Sequence, residues 1–177
     1  MRKRLTFASL LAGTAVLLIS LVGYSCMNPF APALADANAP HSNLLTQQLT
    51  PDEVLQNFEY AYTFKDSLVY AELLDTTFIF RSWDYNVTPP LPLEWGRDTE
   101  LRTTARMFRF FSTIDLTWNA TIYLFYDSTK TRAEMKKTFT LTFDGGRSIP
   151  TLNGEVIFKF IRRGKRWYIR LWEDLNI

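Results

Sequence analysis

The hydrophobic pattern of this chain changes its period after residue 112, and that change limits the folds available to it. In the helices predicted before residue 112, apolar residues recur every three or four positions, as on one face of a helix. After residue 115 they alternate with polar residues, as on a strand with one face in the core. The helical stretch opens with Val54, Leu55, Phe58, Ala61 and Tyr62. Helices followed by strands predict one α+β domain over residues 49–177, in which a curved antiparallel sheet wraps around N-terminal helices.

The first helix has a complete start signal. Thr50 is a good N-cap, Pro51 suits the first helical position, and Glu53 completes a capping box. Leu49 and Val54 are placed to form the hydrophobic staple that often accompanies such a box. Because these devices are independent and agree, they predict that the folded domain begins at this point.

Two further helices are predicted before the main run of strands. The second begins at Asp66 or Ser67, both of which can cap a helix. The third begins near Asp98 as its cap. Its expected buried residues are spaced by four and three, at Leu101, Ala105, Phe108 and Phe111.

Five strands are expected. The first covers residues 76–83, which are β-branched and aromatic, and Pro89, Pro90 and Pro92 then predict a loop between residues 87 and 93. Four antiparallel strands follow the third helix, joined by turns at residues 144–146 and at Gly164. In the last strand, alternation places Trp167, Ile169 and Leu171 on one face and Tyr168, Arg170 and Trp172 on the other.

The N-terminal segment predicts export and attachment. Three basic residues at positions 2–4 precede an apolar run over residues 5–22, and the single cysteine, Cys26, follows it. This pattern resembles a bacterial lipoprotein signal, although Gly23 and Tyr24 depart from the residues usual before the acylated cysteine. We expect a signal over residues 1–25 and an acylated Cys26 opening a flexible tether over residues 26–48. The alternatives are an N-terminal anchor that is not cleaved, and cleavage after the A-x-A match at residues 33–35.

Charge and residue counts exclude several function classes. Removing the three basic residues of the signal from 20 Lys and Arg leaves 20 − 3 = 17 against 18 acidic residues, so we expect no nucleic-acid partner. The only histidine, His41, lies in the predicted tether, and Cys26 is the only cysteine. We therefore expect no metal site, no cofactor and no Ser-His or Cys-His nucleophile. Carboxylate acid–base chemistry stays open.

The order of elements resembles the nuclear-transport-factor-2-like (SnoaL-like) cone fold. The residues that resemble it are the opening helix from Thr50 to Phe58, the second helix up to Asp75, and the terminal strand from Trp167 to Asp174. This resemblance implies a cone-shaped sheet around the helices. Members of the superfamily include isomerases, dehydratases, epoxide hydrolases, association domains and envelope proteins. An acylated member implies a protein of the bacterial envelope, with sorting to the outer membrane.

The resemblance also suggests which residues face the interior of the cone. The candidates are polar or aromatic side chains near the ends of the first and last strands: Tyr60, Arg81, Trp83, Asp84, Trp95, Arg170, Trp172 and Asp174. Because Asp84 and Asp174 each have an arginine nearby, we expect ion-paired carboxylates rather than general bases.

The sequence therefore predicts a lipid-anchored, non-catalytic envelope protein that docks a protein partner or holds a small apolar ligand. The alternative is a carboxylate-dependent isomerase, dehydratase or hydrolase. The outer sheet face mixes polar and apolar residues, including Thr138, Thr140, Tyr123 and Ile157, and predicts a homodimer through the sheet.

Overall fold

The computed structural model describes residues 44–85, 87–146 and 149–176. The predicted signal, Cys26 and most of the predicted tether lie outside these residues. None of the helices in the described ranges has both the length and the apolar content needed to cross a membrane.

The described residues form three helices and six strands. In chain order they are α1 (Pro51–Thr63), α2 (Ser67–Leu73), β1 (Leu74–Asp84), β2 (Leu91–Gly96), α3 (Arg97–Phe110), β3 (Ile114–Tyr126), β4 (Arg132–Phe143), a 3-10 turn (Asp144–Gly146), β5 (Leu152–Arg163) and β6 (Arg166–Asn176). The predicted α+β class with a curved sheet around N-terminal helices is confirmed.

The first two helices start as predicted. The side chain of Thr50 accepts a hydrogen bond from the backbone N–H of Glu53, and the carboxylate of Glu53 accepts one from the backbone N–H of Leu49. Asp66 caps α2 by accepting hydrogen bonds from two backbone N–H groups of its first turn. These bonds satisfy donors that a helix start otherwise leaves without partners.

The strands form one sheet in the order β2-β1-β6-β5-β4-β3. Neighbouring strands are antiparallel except β1 and β6, which run parallel. The β5–β6 turn places Gly164 at φ 62°, a left-handed conformation that glycine adopts without a Cβ clash.

The proline-rich segment contains a strand that the sequence did not predict. Residues 91–96 form β2, and Pro92 lies opposite Trp83 on β1. Since β2 is an edge strand, its outer side needs no ladder hydrogen bonds, and a proline without an N–H is tolerated there.

The third helix differs from its prediction in start and in phase. It begins at Arg97 with Gly96 as its N-cap, not at Asp98. Its buried residues are Glu100, Thr104 and Phe108, while Leu101 and Ala105 are only half-buried. Phe108 and Phe111 are buried as predicted, but the first two inward positions, Glu100 and Thr104, lie one residue earlier than predicted, and both are polar.

A β-bulge changes the faces of the last strand. Phe160 pairs with Ile169 and Phe158 pairs with Trp172, so the three β5 residues 158–160 match the four β6 residues 169–172, with the irregularity at Arg170. The extra residue reverses the alternation. Trp172 therefore faces the core together with Ile169, and the prediction that Trp172 shares a face with Arg170 is wrong.

Aromatic side chains fill the space between the helices and the sheet. Phe58 on α1 is 1% exposed and contacts five other rings. Phe58, Phe108, Phe139, Phe158 and Trp167 are buried, and Trp118 is half-buried against them.

Candidate functional site

A cavity of about 200 Å³ lies between α3 and the inner face of the sheet. All six strands and the helices α1 and α3 contribute to its wall. Thr103, which is exposed, also lines it, so the cavity reaches the protein surface beside α3. The other lining residues are Phe58, Tyr62, Phe80, Trp95, Glu100, Thr104, Met107, Leu116, Trp118, Phe139, Leu141, Leu152, Val156, Trp172 and Asp174.

The wall is mainly aromatic and aliphatic, with two carboxyl groups. Phe80 and Trp95 stack with their ring centroids 4.1 Å apart, and Trp172 meets Phe80 edge-on at 5.3 Å. These contacts fix the rings against one another. The cavity is therefore an apolar space whose acidic groups are held at defined points, as in many small-molecule sites.

Asp174 is the first of the two acids. It is 7% exposed, and its Oδ1 accepts a 2.5 Å hydrogen bond from the indole N–H of Trp172. Burial raises the pKa of Asp174 to about 7; the nearby Glu100 adds to this rise, and the indole hydrogen bond opposes it. The side chain can thus gain or lose a proton near neutral pH.

Glu100 is the second acid and is 4% exposed. Three donors converge on it. The hydroxyl of Tyr70 donates at 2.7 Å and that of Thr104 at 2.9 Å, both to Oε1, while the indole of Trp95 donates to Oε2 at 2.7 Å. Tyr70 lies on α2, Trp95 lies on β2, and Glu100 and Thr104 lie on α3. Glu100 therefore joins these elements at one end of the cavity.

Two buried tyrosines complete the polar network. Burial, together with the charges of Glu100 and Asp174, raises the pKa of Tyr62 well above its usual value. Burial and the neighbouring Tyr62 and Glu100 do the same for Tyr70. Both phenols keep their protons at neutral pH, and the Tyr70 hydroxyl donates to Glu100.

The structure brings some of the predicted pocket residues to the cavity. Trp95, Trp172 and Asp174 line it. The expectation of an ion-paired Asp174 is wrong: no salt bridge to it is found within the described ranges, and its pKa is raised rather than lowered. The bulge at Arg170 explains the difference, because it leaves that arginine exposed outside the core.

Other predicted pocket residues lie elsewhere. Arg81 is on the outer face of the sheet, with a 3.0 Å ion pair to Glu94. Trp83 is 42% exposed opposite a proline of β2, and Asp84 ends β1 without lining the cavity. Tyr60 packs on Phe64 at the surface of α1, and Arg170 borders a separate groove on the outer face.

Sequence reasoning missed Glu100, Thr104 and Tyr62 as site residues. A signal for the first two does exist, since Glu100, Thr104 and Phe108 are spaced by four and so share one helix face. Within the ranges that the structure describes, no three His, Cys, Asp or Glu side chains are grouped so as to hold a metal ion.

No family model and no curated protein matches this chain. Solved structures do match. A proposed scytalone dehydratase of Novosphingobium aromaticivorans is 15% identical, with a TM-score of 0.58 over 70% of this chain and 78% of the other. A proposed aromatic ring hydroxylase of the same bacterium is 16% identical, with a TM-score of 0.56 over 72% and 86%. A protein named Rd1NTF2_04 with long sheet is 14% identical, with a TM-score of 0.50 over 71% and 100%. The chain has the nuclear-transport-factor-2-like fold, as predicted.

Proposed function

We propose that the domain binds a small, mainly apolar molecule in the cavity and that Asp174 transfers a proton to or from it, as in an isomerase or a dehydratase. The observation behind this proposal is the position of Asp174, a buried carboxyl group on the cavity wall with a pKa of about 7. A general acid or base works best when its pKa lies near the pH at which it operates.

The surrounding side chains divide the supporting tasks. Trp172 donates to Oδ1 of Asp174 and so fixes the plane of the carboxyl group. Tyr62 is a buried phenol on the same wall and can donate to an oxygen of the bound molecule. Glu100 positions Tyr70, Thr104 and Trp95 through its three hydrogen bonds. The apolar remainder of the wall excludes water from the proton transfer.

Structural similarity gives this reaction class modest support. One neighbour bears the name of a proposed dehydratase, but at 15% identity that likeness concerns the fold. The proposal therefore depends on the geometry of Asp174 in this chain.

The test is exchange of substrate hydrogen with solvent. Ring-sized ketones with acidic C–H bonds are incubated with the protein in D2O, and deuterium incorporation is followed by NMR. We expect incorporation with the unaltered protein and its loss with Asp174→Asn. Asp84→Asn is the matched control, because Asp84 does not line the cavity. Binding of these ketones without any exchange would favour the non-catalytic ligand carrier instead.

The envelope location is a separate proposal that depends on the N-terminal pattern. We propose that Cys26 is acylated and anchors the domain to a bacterial membrane, with sorting to the outer membrane. The Cys26→Ala variant should then appear in the soluble envelope fraction. A variant that stays fully membrane-bound would favour the uncleaved anchor. The homodimer through the outer sheet face also stays a prediction.

A further inference from the structure

We infer that the molecule held in the cavity is an organic cation: an ammonium group on an apolar body about the size of one ring. This inference depends on the proposed function only in requiring that the cavity binds a small molecule. It adds the charge of that molecule, which the apolar wall alone does not specify.

The first argument is the charge of the wall. Two carboxyl groups, Asp174 and Glu100, line the cavity, and none of its described lining residues is a lysine, arginine or histidine. Removing a carboxylate from water without a counter-charge is costly. An anionic molecule would increase that cost, whereas a cation would offset it.

The second argument comes from a comparison within the same protein. Asp75 is also a buried acid, at 4% exposed, but Arg163 donates two hydrogen bonds to it, at 3.1 and 3.3 Å. The fold thus supplies a cation to this acid, whose contacts are all structural. Among the described residues it supplies none to Asp174, which faces the cavity. The missing positive charge is the feature that a ligand would provide.

The third argument is the aromatic character of the wall. Seven aromatic side chains line the cavity, and three of them are tryptophans: Trp95, Trp118 and Trp172. Indole faces are the best aromatic partners for an ammonium group. Two of these indoles also donate to the carboxyl groups, Trp95 to Glu100 and Trp172 to Asp174. Each acid is therefore coupled to an indole, a combination suited to a desolvated cation.

The hydrogen bonds indicate which acid pairs with the ammonium group. Glu100 already accepts from three donors. Asp174 accepts at Oδ1 from Trp172, and the described residues provide no donor to its Oδ2. The ammonium group is thus assigned to Oδ2 of Asp174.

The ion pair between the ammonium group and the Asp174 carboxylate can form in two ways, and the protons balance in both. A neutral amine takes the proton that Asp174 holds below pH 7, which leaves an ammonium beside a carboxylate. A permanent cation instead displaces that proton to solvent. The titratable groups that act on Asp174 are Glu100 on α3 and Tyr62 on α1, and Tyr62 keeps its proton across this range. Affinity for a permanent cation should therefore fall about tenfold for each pH unit below the pKa of Asp174.

The experiment is calorimetric titration of the full chain with two probes that have the same number of non-hydrogen atoms. Benzyltrimethylammonium is a permanent cation, and dimethyl benzyl carbinol is its neutral counterpart. The indole N–H signals of Trp95 and Trp172, followed by NMR, report whether each probe enters the cavity. At pH 8 we expect the cation to bind at least tenfold more tightly than the carbinol. At lower pH the affinity of the cation should fall, whereas that of the carbinol should stay the same. Asp174→Asn should remove both differences, and Asp84→Asn should preserve them.

The possible failures are distinguishable. If the carbinol shifts the indole signals and binds as tightly as the cation at every pH, the inferred charge is wrong while the cavity still binds a small molecule. If neither probe shifts the indole signals, the cation inference is overturned. If the unaltered protein also fails to catalyse deuterium exchange into the ketones, the proposed function is overturned too. If the cation binds more tightly than the carbinol but its affinity does not change with pH, the assignment of the ammonium group to Asp174 is overturned.

Discussion

Trp172 and Asp174 lie two residues apart on the inner face of β6, and the indole N–H of Trp172 donates to Oδ1 of Asp174 at 2.5 Å. This bond lowers the pKa of a carboxyl group that burial raises more strongly. Replacing Trp172 with Phe keeps a ring but removes the donor. We expect the pKa of Asp174 to rise further above 7 in this variant, as measured by ¹³C NMR of the carboxyl carbon. An unchanged or lower value would contradict the role given to the indole.

The free energy of unfolding should depend on the protonation of Asp174. Its pKa is about 7 in the folded protein and 3.8 in an ordinary aspartate. The folded state therefore binds a proton more strongly than the unfolded state, and stability falls as pH rises from about 4 to about 7, by roughly 4 kcal/mol at most. Urea unfolding at a series of pH values measures this loss. Asp174→Asn should remove it and stabilise the protein at pH 8.

Asp75 should give the opposite pH dependence. Burial alone would raise its pKa, but hydrogen bonds from Arg163 and Thr77 outweigh that effect and lower it to about 2. Its stabilisation is present above pH 4 and is lost as pH falls through 2. Because Arg163 is half-exposed, we expect about 1–2 kcal/mol rather than the full value. Asp75→Asn should lose this amount at pH 7, as measured by urea unfolding. Equal stability of the two proteins at pH 7 would contradict this prediction.

The two faces of α3 provide a matched pair of substitutions. Phe108 is 4% exposed and contacts Tyr62 and Tyr70, whereas Phe110 is 79% exposed. Phe108→Ala should destabilise the domain by about 3–5 kcal/mol, and Phe110→Ala by less than about 0.5 kcal/mol. Thermal and urea unfolding would measure both. Similar losses in the two variants would mean that the helix is rotated from the orientation described above.

Residues just before α1 belong to the folded unit. Thr46 exchanges hydrogen bonds with Asn57, and Gln48 is fully buried and accepts from Arg166 and from the backbone N–H of Trp167. A chain starting at residue 49 should be less stable than one starting at residue 44, by about 2–4 kcal/mol, because it leaves Asn57 and Trp167 without these partners. Melting temperatures of the two truncated chains test this, and equal values would place the boundary at Leu49.

Most of the fold could be predicted from local signals. The capping residues Thr50 and Asp66 act on their own helices, and the alternation in β3, β4 and β5 reflects burial of one sheet face. The edge strand β2 could not be predicted, because Pro89, Pro90 and Pro92 together predict a loop, and only the place of β2 at the edge of the sheet makes Pro92 acceptable within a strand.

The site was less accessible to sequence reasoning for two physical reasons. A bulge at Arg170 shifts the faces of β6 by one residue, and a pattern of alternation contains no mark of such an insertion. Glu100 is buried because Tyr70, Thr104 and Trp95 satisfy it, and those partners come from three elements that only the fold brings together. A buried acid of this kind appears in a sequence as an ordinary exposed helix residue.

The parallel pairing of β1 with β6 has a consequence for the order of folding. These strands are neighbours within the sheet, yet along the chain they are the first and the last of its six strands. During synthesis, β1 and β2 can pair with each other, but β1 has no partner on its other side until β6 has been made. The β3–β4–β5 meander can pair earlier, because its strands are joined by short connections. We therefore expect the insertion of β6 to be the last event of folding, a step that joins the two parts of the sheet and brings Asp174 into the cavity.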